Sequence, residues 1–382
     1  MLLVGITLLT IIALTPNLWI SSRAIPLVPL IPLLVGPFPS PLDGAFVSIL
    51  ILLVLHSLVR PSGTLLLIIV ALLAVAALQD QNRLMPWLYQ IFLMYLVLAV
   101  HLRHPLSHES ASRACNLLGL ITIFGYFWSG ILKINPAFRY SLVPFLLSPL
   151  STSDLPLPLI IPIVGIIAPF VEAGCAVALL FPMTRKLGVI GIEGMHVLIL
   201  TAIGPLGLSY NSSVWPWNIM MMALVPVIFW RSTTSYGEML RIKRDILAAV
   251  IVLAVGILPA LRLVNSWDTY LSFGMYIGNI SSAQVSIHPE HVEKLPPFLR
   301  KHMSTSLSRD GRYTLDMQDW FLAELNSPPY PEPRNFRALG EWWCSLRIPL
   351  SIQITRWSLP TQRRPSRSHF ECLNGTLTPL ED

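Results

Sequence analysis

Lys133, Glu172, Glu193 and His196 are ionisable residues set inside or at the end of long apolar runs, where a charge is costly unless it has a partner or a task. Lys133 closes the run Gly125-Tyr126-Phe127-Trp128-Ser129-Gly130-Ile131-Leu132. Held between helices and partly desolvated, its amine would serve as a base or as an anion clamp. At headgroup level, beside the aromatic residues common there, it would simply snorkel. Small Ser129 and Gly130 permit close helix approach around it. Glu172 lies deep in the apolar run 156–181, and Glu193 and His196 are three apart on one face of the next run. Glu172 with His196 or Glu193 would form an intramembrane proton relay or a quinone contact, or else an interhelical hydrogen bond that only holds the bundle. Glu193-x-x-His196 has the spacing of a di-iron helix, but that chemistry needs a second such motif and further carboxylates, which the apolar runs do not supply. No metal is expected.

The remaining polar residues of the apolar part collect in four stretches: 79–83, 133–136, 210–218 and 272–279. The first carries Gln81 and Arg83 and runs into Pro86-Trp87-Leu88-Tyr89-Gln90, which reads as a helix start with an interfacial aromatic anchor. Arg83 either belongs to that anchor or holds an anionic head group or a substrate carboxylate. Asn135 follows Lys133, and Asn218 follows Trp215-Pro216-Trp217, where it can face a bundle interior. Asn211-Ser212-Ser213 fits a glycosylation sequon, which matters only in a secretory compartment.

These residues need a scaffold, and composition names it. The chain has 382 residues, 54% hydrophobic and 12% charged, against about 25% charged in soluble domains. Apolar runs at 1–19, 45–59, 63–78, 86–101, 115–132, 156–181, 187–204, 215–230 and 246–264 approach the roughly 20 residues that cross a hydrocarbon core. The segment 25–41 is apolar too, but is interrupted by Pro26, Pro29, Pro32, Pro37, Pro39 and Pro41. The expectation is an all-α polytopic membrane protein of nine or ten spans. The first run lacks a basic leader and a small-x-small exit, so it reads as a retained helix. The net charge of +6 fits cytoplasmic loops and a basic tail, and no basic surface interleaved with aromatics supports nucleic-acid binding.

Lys and Arg in short loops set the orientation. Arg231, Arg241, Lys243 and Arg244 put the loop after 230 in the cytoplasm, and alternation then puts Arg60, Arg103, Arg113, Arg185 and Lys186 there too. His101, His104 and His108 fall in a loop on that side and read as solvated. All four polar stretches and the C-terminal tail come out on the non-cytoplasmic face, as expected of a multi-pass protein of the cell (inner) membrane.

Beyond Val264 the pattern changes. Residues 283–288 alternate like a strand, 316–326 suit a helix, and 328–334 form a proline-rich link. Residues 335–348 read as an amphipathic helix that would lie on the membrane. The domains are therefore N-terminal helices at 1–78, a bundle at 79–264, a small extramembrane α/β tail at 265–355 and a basic tail from 356 to 382, expected to be disordered. Cys115 and Cys175 sit in apolar runs as small core residues, and Cys344 and Cys372 would pair if the tail lies in an oxidising compartment.

The run from Phe127 to Lys133, followed by Glu172-Ala173-Gly174 and Thr184-Arg185, resembles the DoxX/MauE four-helix membrane module. The stretch around Tyr126–Asn135 is also similar to the HTTM domain of vitamin K-dependent gamma-carboxylases, in which an aromatic-rich helix ends in small-Gly-x-x-Lys and the lysine is the implicated base. That lysine falls on Lys133, while Arg83 stands where a histidine would be expected. The resemblance covers roughly residues 79–230, and the large lumenal domain of the carboxylases is not apparent. It implies a pocket on the non-cytoplasmic face, with quinone-coupled redox or carboxylase-like chemistry. Together with the residues themselves, the expectation is a site for a lipid-soluble molecule such as a quinone, with Lys133 as base or anion partner, Glu172 and His196 moving protons, and Arg83, Gln81, Asn135, Asn218 and Glu193 around the substrate. The alternative is a non-enzymatic membrane subunit that anchors or assembles a periplasmic redox partner. A transporter ranks below both, since no repeat is evident.

Overall fold

Alternating apolar runs and short polar turns produce antiparallel helices, and the order of these helices decides which polar ends meet. The structure, a computed structural model, describes residues 1–31, 38–103, 107–152, 156–239, 245–357, 364–373 and 375–380. Pro32, Pro37, His104, Arg241, Lys243 and Arg244, which entered the span and orientation arguments, lie outside the described residues.

The helices are α1 (Leu2–Leu14), α2 (Leu42–Val59), α3 (Gly63–Gln79), α4 (Pro86–His101), α5 (His108–Leu132), α6 (Leu157–Leu180), α7 (Arg185–Ile203), α8 (Trp215–Phe229) and α9 (Ile246–Val264). Their starts are written in the sequence: Ser62, Ser107 and Asp245 cap α3, α5 and α9 through their side chains, and Pro86 opens α4. Six of them (α2, α5, α6, α7, α8 and α9) are long and apolar enough to cross a membrane. The expected nine or ten spans are not reached on that measure. α1, α3 and α4 are apolar but shorter, because Thr15-Pro16 ends the first and the polar turn Gln81–Arg83 separates the other two.

α5 is the innermost: 67% of its apolar window is buried, against 28% for α2, α7 and α9. α9 passes through a π turn, Val252–Ile257, and the carbonyls of Ala254 and Gly256 accept hydrogen bonds from Tyr89 Oη and Trp128 Nε1, both at 3.1 Å. At one end of the bundle Arg113 pairs with Asp245 at 2.7 Å, and buried Arg185 donates to carbonyls of Leu179, Ser232 and Thr234. At the other end sits a compact α/β unit.

That unit corrects the all-α expectation. Strands β1 (Ser282–Ile287), β2 (Tyr313–Asp316), β3 (Leu350–Arg356), β4 (Ser366–Leu373) and β5 (Thr376–Pro379) form an antiparallel sheet in the order β2-β1-β3-β4-β5. β1 was legible from its alternation. Helix α10 (Met317–Leu325) also falls where expected, capped by Asp316 and closed by left-handed Asn326. Two other expectations change. α11 (Pro333–Ser345) buries Phe336, Leu339 and Trp343 against the sheet rather than in a bilayer: an apolar stripe accepts any apolar partner, and β3 supplies one. The basic tail also supplies β4 and β5 where composition suggested disorder. Phe370 and Cys372 point inward, and a disulfide between Cys344 and Cys372 ties β4 to α11. By the chain-entropy estimate, closing a loop of that length stabilises the unit by about 3–4 kcal/mol.

Candidate functional site

Thr122, Tyr126 and Ser129 of α5, with Lys133 at its C-cap, recur at i, i+4, i+7 and i+11, so they share one helix face. All four line a cavity of about 70 Å³ within the bundle, together with Glu172 of α6, His196 of α7, and Trp217 and Asn218 of α8. Its outer wall is made by Phe273, Met275 and Tyr276.

Two polar groups converge there. Lys133 Nζ donates to Glu172 Oε2 at 2.6 Å and to Ser129 Oγ at 2.8 Å. Both ion-pair partners are over nine-tenths buried. Their meeting depends on backbone contact: a Cβ at Gly130 would lie 2.6 Å from the Ala173 nitrogen and 2.7 Å from the Pro169 oxygen. Any side chain at that position would push α6 away, and Pro169 lies within α6 one turn from the pair.

The second group is a chain of neutral hydrogen bonds. Tyr126 Oη lies 2.5 Å from His196 Nε2, and His196 Nδ1 lies 2.8 Å from Asn218 Oδ1. Asn218 Nδ2 donates to the Val214 carbonyl at 2.8 Å, which leaves its Oδ1 as an acceptor facing the ring. His196 therefore carries its proton on Nδ1 and accepts from the tyrosine hydroxyl at Nε2, an assignment that follows from the network. Tyr126 had no role in the sequence reading. Its spacing to Lys133 on one helix face was the signal that could have found it.

Of the expected residues, Lys133, Glu172, His196 and Asn218 come together at this cavity. Glu172 and His196 are not hydrogen-bonded to each other: each is engaged by another partner. Glu193 is absent from the lining, and its Oε1 has no hydrogen-bond partner among the described residues. Asn135 sits just beyond, where Nδ2 donates to the carbonyls of Leu132 and Ile277, both at 2.8 Å, and ties the 272–279 stretch to the end of α5.

Gln81 and Arg83 lie apart from the cavity, in a joint between the N-terminal helices and the sheet unit. The buried Arg83 guanidinium donates to the carbonyls of Leu18, Trp19 and Ala76 and to Gln79 Oε1. Burial brings it down to about 10, and it remains a cation at neutral pH. Gln81 Oε1 accepts from Arg334 Nε at 3.2 Å. Neighbouring Asn82 Oδ1 accepts from Tyr330 N and Asn335 Nδ2, and Arg23 pairs with Asp80 at 2.5 Å. With every one of its nitrogens engaged in this way, Arg83 fastens chain segments together. Asn211 is buried and donates to Tyr276 Oη at 3.0 Å, so the sequon is not presented to solvent.

Among the described residues, no group of three or more His, Cys, Asp or Glu is placed to hold a metal. No family model, curated protein or solved structure matches this chain.

Arg83→Lys removes the fork that reaches several carbonyls at once, and each buried acceptor left unpaired costs about 1–3 kcal/mol. The expected outcome is a clear drop in the melting temperature of the purified protein, with unchanged ligand affinity in the fraction that remains folded. A change in affinity at unaltered stability would return Arg83 to the binding site.

Proposed function

We propose that this chain is an integral membrane protein in which α1, α3 and α4 are embedded alongside the six longer helices, and that the cavity beside Lys133 takes the reactive end of a lipid-soluble molecule. The observation that carries this reading is the meeting of Lys133–Glu172 and Tyr126–His196–Asn218 on one small chamber in an otherwise apolar interior. Buried polar groups gathered on a cavity mark a binding site more often than scattered ones do. The chamber, at about 70 Å³, is smaller than the roughly 150 Å³ that admits a benzene ring. It therefore receives one oxygen-bearing group, such as a carbonyl of a quinone or a hydroxyl of its quinol, while the rest of the molecule lies outside the chamber.

The chemistry is proton transfer. Lys133 with Glu172 is neutral as a pair, so a hydroxyl ionising beside Nζ, such as that of a quinol, gains a cation partner while its proton passes through Tyr126 to His196. His196 accepts a proton only through Tyr126. Beyond it Asn218 Oδ1 cannot be protonated further, so this chain stores a proton rather than conducting it outward. The aromatic helix ending in Ser129-Gly130-x-x-Lys133 supports a DoxX/HTTM-like bundle.

The sheet-bearing end belongs on the non-cytoplasmic side in this reading. The Cys344–Cys372 disulfide suits an oxidising compartment, and Arg60, Arg103, Arg113, Lys186 and Arg231 fall at the opposite end, as the positive-inside rule requires. A second reading, a membrane subunit that anchors a periplasmic redox partner, draws on the edge strands β2 and β5.

For the protein in lipid nanodiscs, Lys133→Met and Glu172→Gln should each weaken binding of a short-chain quinone by roughly tenfold or more, the loss of one charge-assisted hydrogen bond. Undiminished binding in both would reject the cavity as the site. For orientation, a membrane-impermeant maleimide applied to intact cells should label Thr305→Cys and spare Thr233→Cys, with Cys115 and Cys175 replaced by Ser. The reverse pattern would invert the topology.

A further inference from the structure

A second, larger hollow of about 470 Å³ lies between the end of the bundle and the sheet unit. It shares only Met275 and Tyr276 with the Lys133 chamber, so these two residues form a partition and the two spaces have separate chemistry. Its volume is within the range of small-molecule sites, about 300–1,000 Å³.

The wall carries unusual charge. On a chain of net charge +6, the lining includes the carboxylates Asp316 and Asp319 and, among the described residues, no Lys, Arg or His. An anion would meet uncompensated repulsion there. The hydroxyls argue equally against a simple cation. Tyr276 Oη accepts from Asn211 Nδ2 at 3.0 Å, and Asn211 Oδ1 is taken by Ser213 Oγ, so the tyrosine hydrogen is unspent. Tyr210 Oη and Gln318 Nε2 are 2.6 Å apart. Whichever way that amide is turned, the pair keeps an N–H or O–H in reserve. Tyr270 is 98% buried, at 2% exposure, and its hydroxyl has no hydrogen-bond partner among the described residues.

The hollow thus presents tyrosine donors that lack acceptors and carboxylate oxygens, Asp316 Oδ2 and those of Asp319, that can take further donors beyond the Gln318 N–H already held by Asp316 Oδ1. Ammonium groups satisfy only the second need and phosphate or carboxylate only the first, whereas a hydroxyl is donor and acceptor at once. Trp357 and Phe145 add apolar faces against which the C–H faces of a ring can pack. We propose that this hollow binds a neutral, hydroxyl-rich molecule of the sugar class. The proposal does not rest on the quinone reading, because none of Lys133, Glu172 or His196 lines the hollow.

The test is saturation-transfer NMR on the full chain in nanodiscs, free of alkyl-glycoside detergent. The probes are methyl α-glucoside, methyl β-galactoside and N-acetylglucosamine, with choline and acetate as the cation and anion controls. At least one sugar should receive saturation while choline and acetate do not. Affinity for it should fall roughly tenfold in both Tyr270→Phe and Asp319→Asn, and an excess of short-chain quinone should not displace it, which separates this site from the inner chamber. Asp319 is exposed, so its variant reports even if Tyr270→Phe misfolds. Saturation of choline or acetate in place of the sugars, of no probe at all, or of a sugar that both variants bind normally would overturn the proposal.

Discussion

The approach of α5 to α6 at Gly130 governs the interior of this protein. Backbone meets backbone there, with no room for a methyl group, and that contact sets the register in which Lys133 reaches Glu172. A lysine or a glutamate alone at this depth would carry a large desolvation penalty. As a hydrogen-bonded pair they form a neutral unit that the bundle can hold. The cavity, the tyrosine–histidine chain across it and the loop that closes it are arranged around this pair.

Polar helix ends serve two different purposes in the same layer. Some are spent on joining. Arg83, Asn82 and Asn135 saturate carbonyls and amides of distant segments, so the sheet unit is knitted to the bundle at several points. Others keep unspent capacity at the two cavities. Tyr330 shows how tight the joint is: its N–H goes to Asn82, its hydroxyl to Asp268 at 2.7 Å, and Arg334 pairs with the same Asp268. A rigid lid of this kind fixes the 272–279 stretch, whose left-handed Phe273 and Tyr276 hold backbone conformations that only a well-determined surrounding sustains.

Much of the helical framework was legible in the sequence, because apolar length and capping residues act locally. The strand β1 and helix α10 were legible for the same reason. The role of Arg83 was not: a saturated joint and an open anion clamp draw on the same residues, and only the position of the carbonyls of Leu18, Trp19 and Ala76 tells them apart. The pairing of Lys133 with Glu172 was also hidden. Each residue stood out alone, but their contact depends on a helix register set 39 residues apart. The last two strands were missed because Arg and Ser dominate 356–382, and the alternation that buries Phe370 and Cys372 is faint beside that composition.

Lys133 and Glu172 act energetically as one unit. A double-mutant cycle with Lys133→Met and Glu172→Leu, read as unfolding free energy in a lipid or mild-detergent environment, measures this directly. Each single substitution strands a buried charge and should cost about 3–5 kcal/mol, and the double variant should recover most of that loss. Losses that simply add in the double variant would show that the two residues do not act as a unit.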